Sequence, residues 1–436
     1  MDWLGNNVKT FKVKGITIIA NRNNGMVIGL DREGEEVVDL LKSNLIEISS
    51  LSDNQKELYK VLEENDFLKS CYKEIKGIDS VYLHVNSACN LHCLGCYSYV
   101  ENRNTRNELS FDEWKCVIDD LSLLGVKNIV ISGGEPFLRK DLREICKYIK
   151  ETVNGSLEVI SNGTMNISDY EVVLPYIDAL NISIDGYDDK TSFIRDKGIM
   201  KRVLDTVERL KEKIPIKLIV TLHKKNVPFM KEYENLAKKL GVFMSFSIFT
   251  VDFSEKIFED YKFSEDDFVI VGDNITESEN GTTILDTPTD VVGITYREGC
   301  GFGKKTISIA YNGDIYPCHM LHCQECKMGN IKHGRLKDII DESDFEGNNI
   351  LLDDIEECGI CEYKNLCGGA CRGRAYLFTG DMKKRDPYCL AAKRFYDNLF
   401  AQYDVGVKTI NKFNPIPYST LKNSYFVVYR RGLGNI

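Results

Sequence analysis

Residues 81–97 read VYLHVNSACNLHCLGCY, an apolar, β-branched run that stops at three closely spaced cysteines, Cys89, Cys93 and Cys96. The run has the length and composition of a strand. Five more follow it: NIVIS (128–132), LEVIS (157–161), ALNISI (179–184), IKLIVTL (216–222) and VFMSFSIF (242–249). Between them lie helical patterns such as SFDEWKCVIDDLSLL, LREICKYIK, MKRVLDTVERLKEK and PFMKEYENLAKKL. Strand and helix in alternation imply parallel βαβ units with right-handed crossovers. Six units predict an α/β fold with an open, partial barrel instead of a closed eight-fold one. Sites in such folds form at the C-terminal ends of the strands, which is where the three cysteines fall.

The chain has 436 residues, room for two or three domains, and an ordinary 43% hydrophobic and 28% charged composition. A net charge of −10 without a long basic run lacks the electrostatic footprint of a nucleic-acid binder. The first residues, MDWLGNNVKTFKVKG, hold no apolar signal-peptide core, and no apolar run is long enough to span a membrane. A cytoplasmic location is therefore expected, with no membrane partner. Against this background stand 15 cysteines, bunched at 89–96 and 300–389, with none between Cys146 and Cys300. Bunched cysteines in a reducing compartment read as metal ligands, not disulfides.

Three thiolates within eight residues can wrap a cubane cluster and leave its fourth iron without a protein ligand. An open metal position distinguishes a catalytic site from a closed structural one. The alternative is structural zinc, which needs a fourth ligand, for which His84 and His92 are the nearby candidates.

C-x3-C-x2-C followed by Tyr97 resembles the signature of the radical S-adenosylmethionine (SAM) superfamily. Four further stretches extend the resemblance. Ser132-Gly133-Gly134-Glu135-Pro136 is similar to the segment that receives the SAM amino group in that family. Ser161-Asn162-Gly163-Thr164 falls where the family places its ribose contacts. Ser183-Ile184-Asp185-Gly186 ends the fourth strand on the SAM side, and Arg195 matches an arginine that pairs with the SAM carboxylate. The resemblance implies a 4Fe-4S cluster on Cys89, Cys93 and Cys96, with SAM beside Tyr97, Gly133, Gly134, Glu135, Ser161, Asn162, Ser183, Asp185 and Arg195. It also implies reductive cleavage of SAM to a 5′-deoxyadenosyl radical that abstracts a substrate hydrogen.

Downstream, Cys300 precedes Gly313-x4-Cys318, then Cys358-x2-Cys361-x5-Cys367-x3-Cys371, then Cys389. This order resembles the seven-cysteine signature of the SPASM extension, which carries two auxiliary 4Fe-4S clusters. The resemblance implies Cys358, Cys361, Cys367 and Cys389 on the distal cluster, and Cys300, Cys318 and Cys371 on the nearer one. Zinc knuckles are the alternative for the CxxC pair. The nearer cluster is one ligand short. Either its last iron is open or exchangeable, or Cys323 or Cys326 completes it. Cys116, Cys146 and Cys71 read as core residues.

The expected organisation is a small module at 1–75, a partial (β/α)6 barrel at 80–290, a cysteine-rich SPASM domain at 295–395 and a tail at 396–436. Within the module, ITIIAN (16–21) and MVIGLD (26–31) form a hairpin. REGEEVVDLLKS follows as a helix, and Ser52 with Gln55 makes a capping box for a second. This order resembles the winged-helix-like leader-recognition elements of ribosomal-peptide maturases, which capture a leader peptide as an added strand. Residues 250–290 read as a linker or lid, and the tail ends in a strand-like SYFVVYRRG.

The implied function is maturation of a precursor peptide by thioether or carbon–carbon cross-linking, with a flavodoxin or ferredoxin as electron donor. Anaerobic sulfatase maturation is the rival, weakened because His319 stands where those enzymes carry an aspartate base. His319 is itself a candidate base. From other classes, a multi-cluster electron carrier and a zinc-stabilised scaffold remain open.

Overall fold

A computed structural model describes residues 3–73, 77–98, 107–251, 255–277, 283–284, 295–401 and 426–429. The N-terminal strands β1 (Val8–Val13), β2 (Ile16–Asn21) and β3 (Val27–Leu30) form an antiparallel meander. The hairpin at 22–25 is as expected, but β1 was not anticipated, because its residues VKTFKV mix lysines with apolar positions at the exposed sheet edge. Two helices, Arg32–Lys42 and Asp53–Glu64, cover one face, and Ser52 and Gln55 close the expected capping box. Between helices and sheet lie Ile19, Ile28, Val37, Leu41, Leu58 and Leu62.

The opposite face is also buried. Val13, Ile16, Ile18, Ala20 and Val27 pack on Tyr363, Leu366, Tyr396, Leu399 and Phe400, next to Cys361 and Cys367. Lys14 reinforces this junction through Asp397 (2.7 Å) and Glu362 (3.2 Å). The N-terminal sheet is thus sandwiched between its own helices and the cysteine-rich region.

The central sheet follows the sequence pattern closely. Strands β4 (Ser80–His84), β5 (Asn128–Ser132), β6 (Ser156–Ser161), β7 (Ala179–Ile184), β8 (Ile216–Leu222) and β9 (Phe243–Ile248) pair in chain order, all parallel. Strand alternation divides each one. Val81, Leu83, Leu157, Val159, Leu218 and Val220 are buried in the main core with the crossover helices, whereas Tyr82, Ile160, Ser183, Ile219 and Ser247 line a cavity.

The sheet does not end at six strands. Strand β10 (Thr283–Ile284) adds parallel to β9. At the other edge β11 (Thr306–Ile309) adds parallel to β4, followed by antiparallel β12 (Asp314–Tyr316) and β13 (Gly329–Asn330). The cysteine-rich region is therefore stitched into the barrel sheet. Strands of two to four residues are too short to leave a periodic trace in sequence.

Other expectations need correction. Residues 250–290 contain a helix, Glu265–Glu277, packed on the helix Cys389–Ala401, so this stretch is more than a linker; residues 252–254, 278–282 and 285–290 lie outside the described residues. Its first-turn Glu265, Asp266 and Asp267 suit a helix N-terminus, and Val271 and Ile275 point inward one turn apart. Of the three cysteines expected in the core, Cys146 is buried, but Cys71 and Cys116 are exposed. On the helix Phe111–Leu123 the inward stripe is Trp114, Val117, Ile118 and Leu121, which turns Cys116 outward. The tail strand, β14 (Phe426–Tyr429), pairs parallel with β3; residues 402–425 and 430–436 lie outside the described residues. No described helix is long and apolar enough to cross a membrane.

Candidate active site

Strand β4 delivers the chain into the Cys89–Cys96 loop, and the ends of the next three strands hold that loop in place. Gly134 N donates to Asn86 O (2.9 Å) and Glu135 N to Ala88 O (2.7 Å). A Cβ on Gly134 would lie 2.1 Å from Ala88 O, and one on Gly133, where φ is +140°, 2.5 Å from Asn86 O. The two glycines thus let the end of β5 press against the backbone leading into the cysteines. From β6, Asn162 Nδ2 donates to Asn90 Oδ1 (2.8 Å) and approaches Cys89 Sγ (4.0 Å), while Asn90 donates to Thr164 (2.9 Å). From the loop after β7, Ile194 O accepts from Leu94 N (2.7 Å). Three strand ends therefore fix one loop.

The three thiols open on a single cavity. Its wall includes Tyr97, Gly133, Gly134, Ser161, Asn162, Ser183 and Arg195, all expected from sequence. Tyr97 is anchored by its hydroxyl to Ser132 Oγ (2.6 Å). Burial pushes the Cys93 thiol up, against the pull of the Arg195 guanidinium and with added repulsion from Cys96 and Cys89. An electropositive group among these sulfurs would relieve that cost, so the donor set fits a thiolate-bound metal cluster.

Two expected contacts lie behind the cavity wall instead of on it. Glu135 is fully buried, and its carboxylate accepts from Asn162 N (2.7 Å), Ser161 Oγ (3.0 Å) and Phe137 N (3.3 Å). Burial pushes its carboxyl up to about 7, against those hydrogen bonds. Asp185 accepts from Phe193, Ile194 and Arg195 backbone N–H groups and from Ser192 Oγ (3.1 Å). Both acids shape the strand-end loops, and Asp185 sets the backbone that presents Arg195. The zinc candidates also separate: His92 is exposed beside Asp196, and His84 is buried against His322 and Tyr97.

Sequence reasoning missed the far wall, formed by Ile219, Thr221, Ser247, Phe249 and Thr250. The signal was available, since Thr221, Ser247, Phe249 and Thr250 lie at or just past the C-terminal ends of β8 and β9. Phe249 covers Gly95, whose missing Cβ would sit 2.5 Å from the ring.

A second cavity adjoins the first. Cys300, Cys318, Cys367 and Cys371 line it, and Tyr82, His319 and Met320 line both. His319 stacks on Tyr82 (4.2 Å between centroids) and meets Tyr97 edge-on (5.8 Å). Cys358, Cys361, Cys367 and Cys389 form a connected electrostatic neighbourhood: burial raises the Cys367 thiol and the nearby Cys389 and Cys358 raise it further, while Cys361 adds to the rise at Cys358. The cysteine grouping anticipated for the distal set is thus brought together, with Cys367 also facing the nearer cavity. Interaction with Cys326 draws the Cys323 thiol down to about 7.

A buried ion pair braces this region. Arg374 and Asp386, each 1% exposed, meet at 2.9 and 2.6 Å, and Asp386 also accepts from Cys371 N (2.8 Å).

Comparison with known proteins agrees with this geometry. Residues 83–240 match the family model of the radical SAM superfamily, and residues 300–367 match SPASM, an iron–sulfur cluster-binding domain. An AdoMet-dependent heme synthase of Methanosarcina barkeri is 28% identical over 341 residues, spanning 70% of this chain and 94% of that protein. The mycofactocin maturase MftC of Mycolicibacterium smegmatis is 26% identical over 326 residues, spanning 70% and 80%. Among solved structures, Streptococcus suis SuiB bound to precursor peptide SuiA superposes with a TM-score of 0.57 at 18% identity, covering 89% of this chain and all of that one.

Proposed function

Because this chain belongs to the radical SAM superfamily and carries a SPASM domain, we propose that it matures a precursor peptide, cross-linking a side chain to carbon. Cys89, Cys93 and Cys96 would hold the catalytic 4Fe-4S cluster, and Tyr97, Gly133, Gly134, Ser161, Asn162, Ser183 and Arg195 would form the SAM site. When bound, cluster and SAM supply an electron and a 5′-deoxyadenosyl radical able to take hydrogen from an unactivated carbon. This chain's residues supply position and exclusion. The Arg195 guanidinium is a planar donor for a carboxylate, and Leu91, Ile219 and Phe249 give the cavity an apolar wall that keeps water from the reacting carbon.

Cys358, Cys361, Cys367 and Cys389 would hold the distal auxiliary cluster and Cys300, Cys318 and Cys371 the nearer one. His319, on the wall shared by both cavities, stands where it can take a proton from substrate bound between them. The N-terminal sheet, docked beside Cys361 and Cys367, would receive the leader as an added strand.

The observation that carries the peptide reading is the likeness to MftC, a mycofactocin maturase, and the fold shared with SuiB, solved bound to precursor peptide SuiA, supports it. The heme synthase likeness favours a second reading, radical chemistry on a porphyrin. Anaerobic reconstitution with SAM and dithionite, assayed for 5′-deoxyadenosine, tests the radical chemistry. Co-expression with a short cysteine-bearing peptide encoded nearby, followed by mass spectrometry, separates the readings. The peptide reading requires a product lighter by two hydrogens; an unmodified peptide together with turnover of an iron porphyrin decides for the other.

A further inference from the structure

Among the described residues the N-terminal sheet runs in the order β1-β2-β3-β14, so one edge is β1 and the other is closed by the C-terminal strand. The two sides differ in what they offer an incoming peptide. β1 reads VKTFKV, and Lys9 and Lys12 stand exposed along it, which blunts an edge against further pairing. β3 reads VIGL, carries no charge or proline, and is buried from end to end. Its Val27 packs toward Tyr363 and Leu366 of the cysteine-rich region, while Ile28 and Leu30 pack with Val37, Leu41 and Leu58 of the two helices. The β3 side is therefore the one suited to take another strand.

This chain takes it itself. Phe426, Val427, Val428 and Tyr429 pair in parallel with Val27, Ile28, Gly29 and Leu30. β1 to β3 form an antiparallel meander, whereas β14 joins from the far end of the chain and pairs over four residues only. Parallel pairing is the slightly weaker kind per residue, and this ladder is short. Its backbone hydrogen bonds are ones that any extended peptide can supply in its place.

We propose that Phe426–Tyr429 is an internal occupant of the β3 edge, and that this edge is the docking surface for an extended peptide segment rich in β-branched and aromatic residues, which displaces the occupant as it binds. The proposal rests on the reading of the N-terminal sheet as the leader site, and adds which edge is used and what keeps it closed. The occupant's own sequence, FVVY, defines the chemistry of the partner: apolar residues of high strand propensity. Because the occupant belongs to the same chain, it competes at a fixed local concentration, and a peptide without such a segment leaves it in place.

The test compares full-length holoenzyme with its full-length V427P/V428P variant, in which proline removes the ladder donors at both positions. The probe is a fluorescently labelled synthetic peptide of residues 424–432, SYFVVYRRG. Its binding is followed by anisotropy, with amide hydrogen exchange and iron content measured on the same samples. The variant is expected to bind the probe at least about tenfold more tightly than the wild type, as when the edge is open in a tenth or less of wild-type molecules. Amides at 27–30 should exchange faster in the variant and slow again with probe, at unchanged iron content. In the wild type, saturating probe should release the 426–429 amides to exchange while 27–30 stay protected. Equal affinity of the two proteins overturns the proposal, as does protection of 8–13 in place of 27–30, or wild-type 426–429 amides that stay protected under saturating probe. A tenfold difference in binding with no peptide modified by either protein upholds the occupied edge and rejects the maturation reading alone.

Discussion

Glu135 shows how a motif residue can act through its neighbours. Buried beneath the cavity, it ties the end of β5 to Ser161 and Asn162 at the end of β6. Its folded pKa, about 7, lies above the ordinary 4.5. A raised carboxyl contributes stability that is complete below the unfolded pKa and lost as pH rises through the folded one. Between pH 4.5 and 7 the wild type should therefore lose stability relative to E135Q by up to about 3 kcal/mol. Melting temperatures of both proteins across this range check it, and parallel curves would contradict it. Gly134 offers a sharper steric test. A methyl there meets Ala88 O at 2.1 Å, so G134A should displace the Cys89 loop, at a cost of about 1–3 kcal/mol. The expected readout is loss of cluster absorbance from a protein that still folds.

At the scale of elements, the six strands β4–β9 were legible because each is a separate apolar run of five to seven residues with a helix between. The same reasoning failed at β11 to β13, where the pairing of β11 with β4, and of β12 and β13 beyond it, is set by tertiary context and not by local pattern. The Arg374–Asp386 pair was equally invisible, since nothing local distinguishes it from surface charge. Its burial makes it decisive: D386N leaves a buried guanidinium without its counter-charge and Cys371 N without its carboxylate partner. The expected cost is about 3–5 kcal/mol, together with loss of auxiliary-cluster iron while the catalytic cluster remains. Iron quantification alongside thermal unfolding would show whether that separation holds.

Across the whole molecule, the N-terminal sheet and the cysteine-rich region share a buried apolar interface, which sets the candidate leader site beside the proposed distal cluster region. Its positions follow from strand alternation, but their partner could not be read from sequence, because Tyr363, Tyr396 and Phe400 lie more than 300 residues away. Placing a charge there, as in I18D, should uncouple the module. Peptide modification should then fall by at least about tenfold, as expected for loss of 1.4 kcal/mol or more of coupling, while 5′-deoxyadenosine still forms without peptide. Equal loss of both activities would show that the interface serves stability alone.

The proposed radical chemistry requires that Cys89, Cys93 and Cys96 grip the cluster that activates SAM. It is tested most directly by replacing all three with alanine, keeping the downstream cysteines, and measuring iron content and SAM cleavage after anaerobic reconstitution. Iron should fall by one cluster's worth, and no 5′-deoxyadenosine should form. Undiminished iron with SAM still cleaved would contradict it.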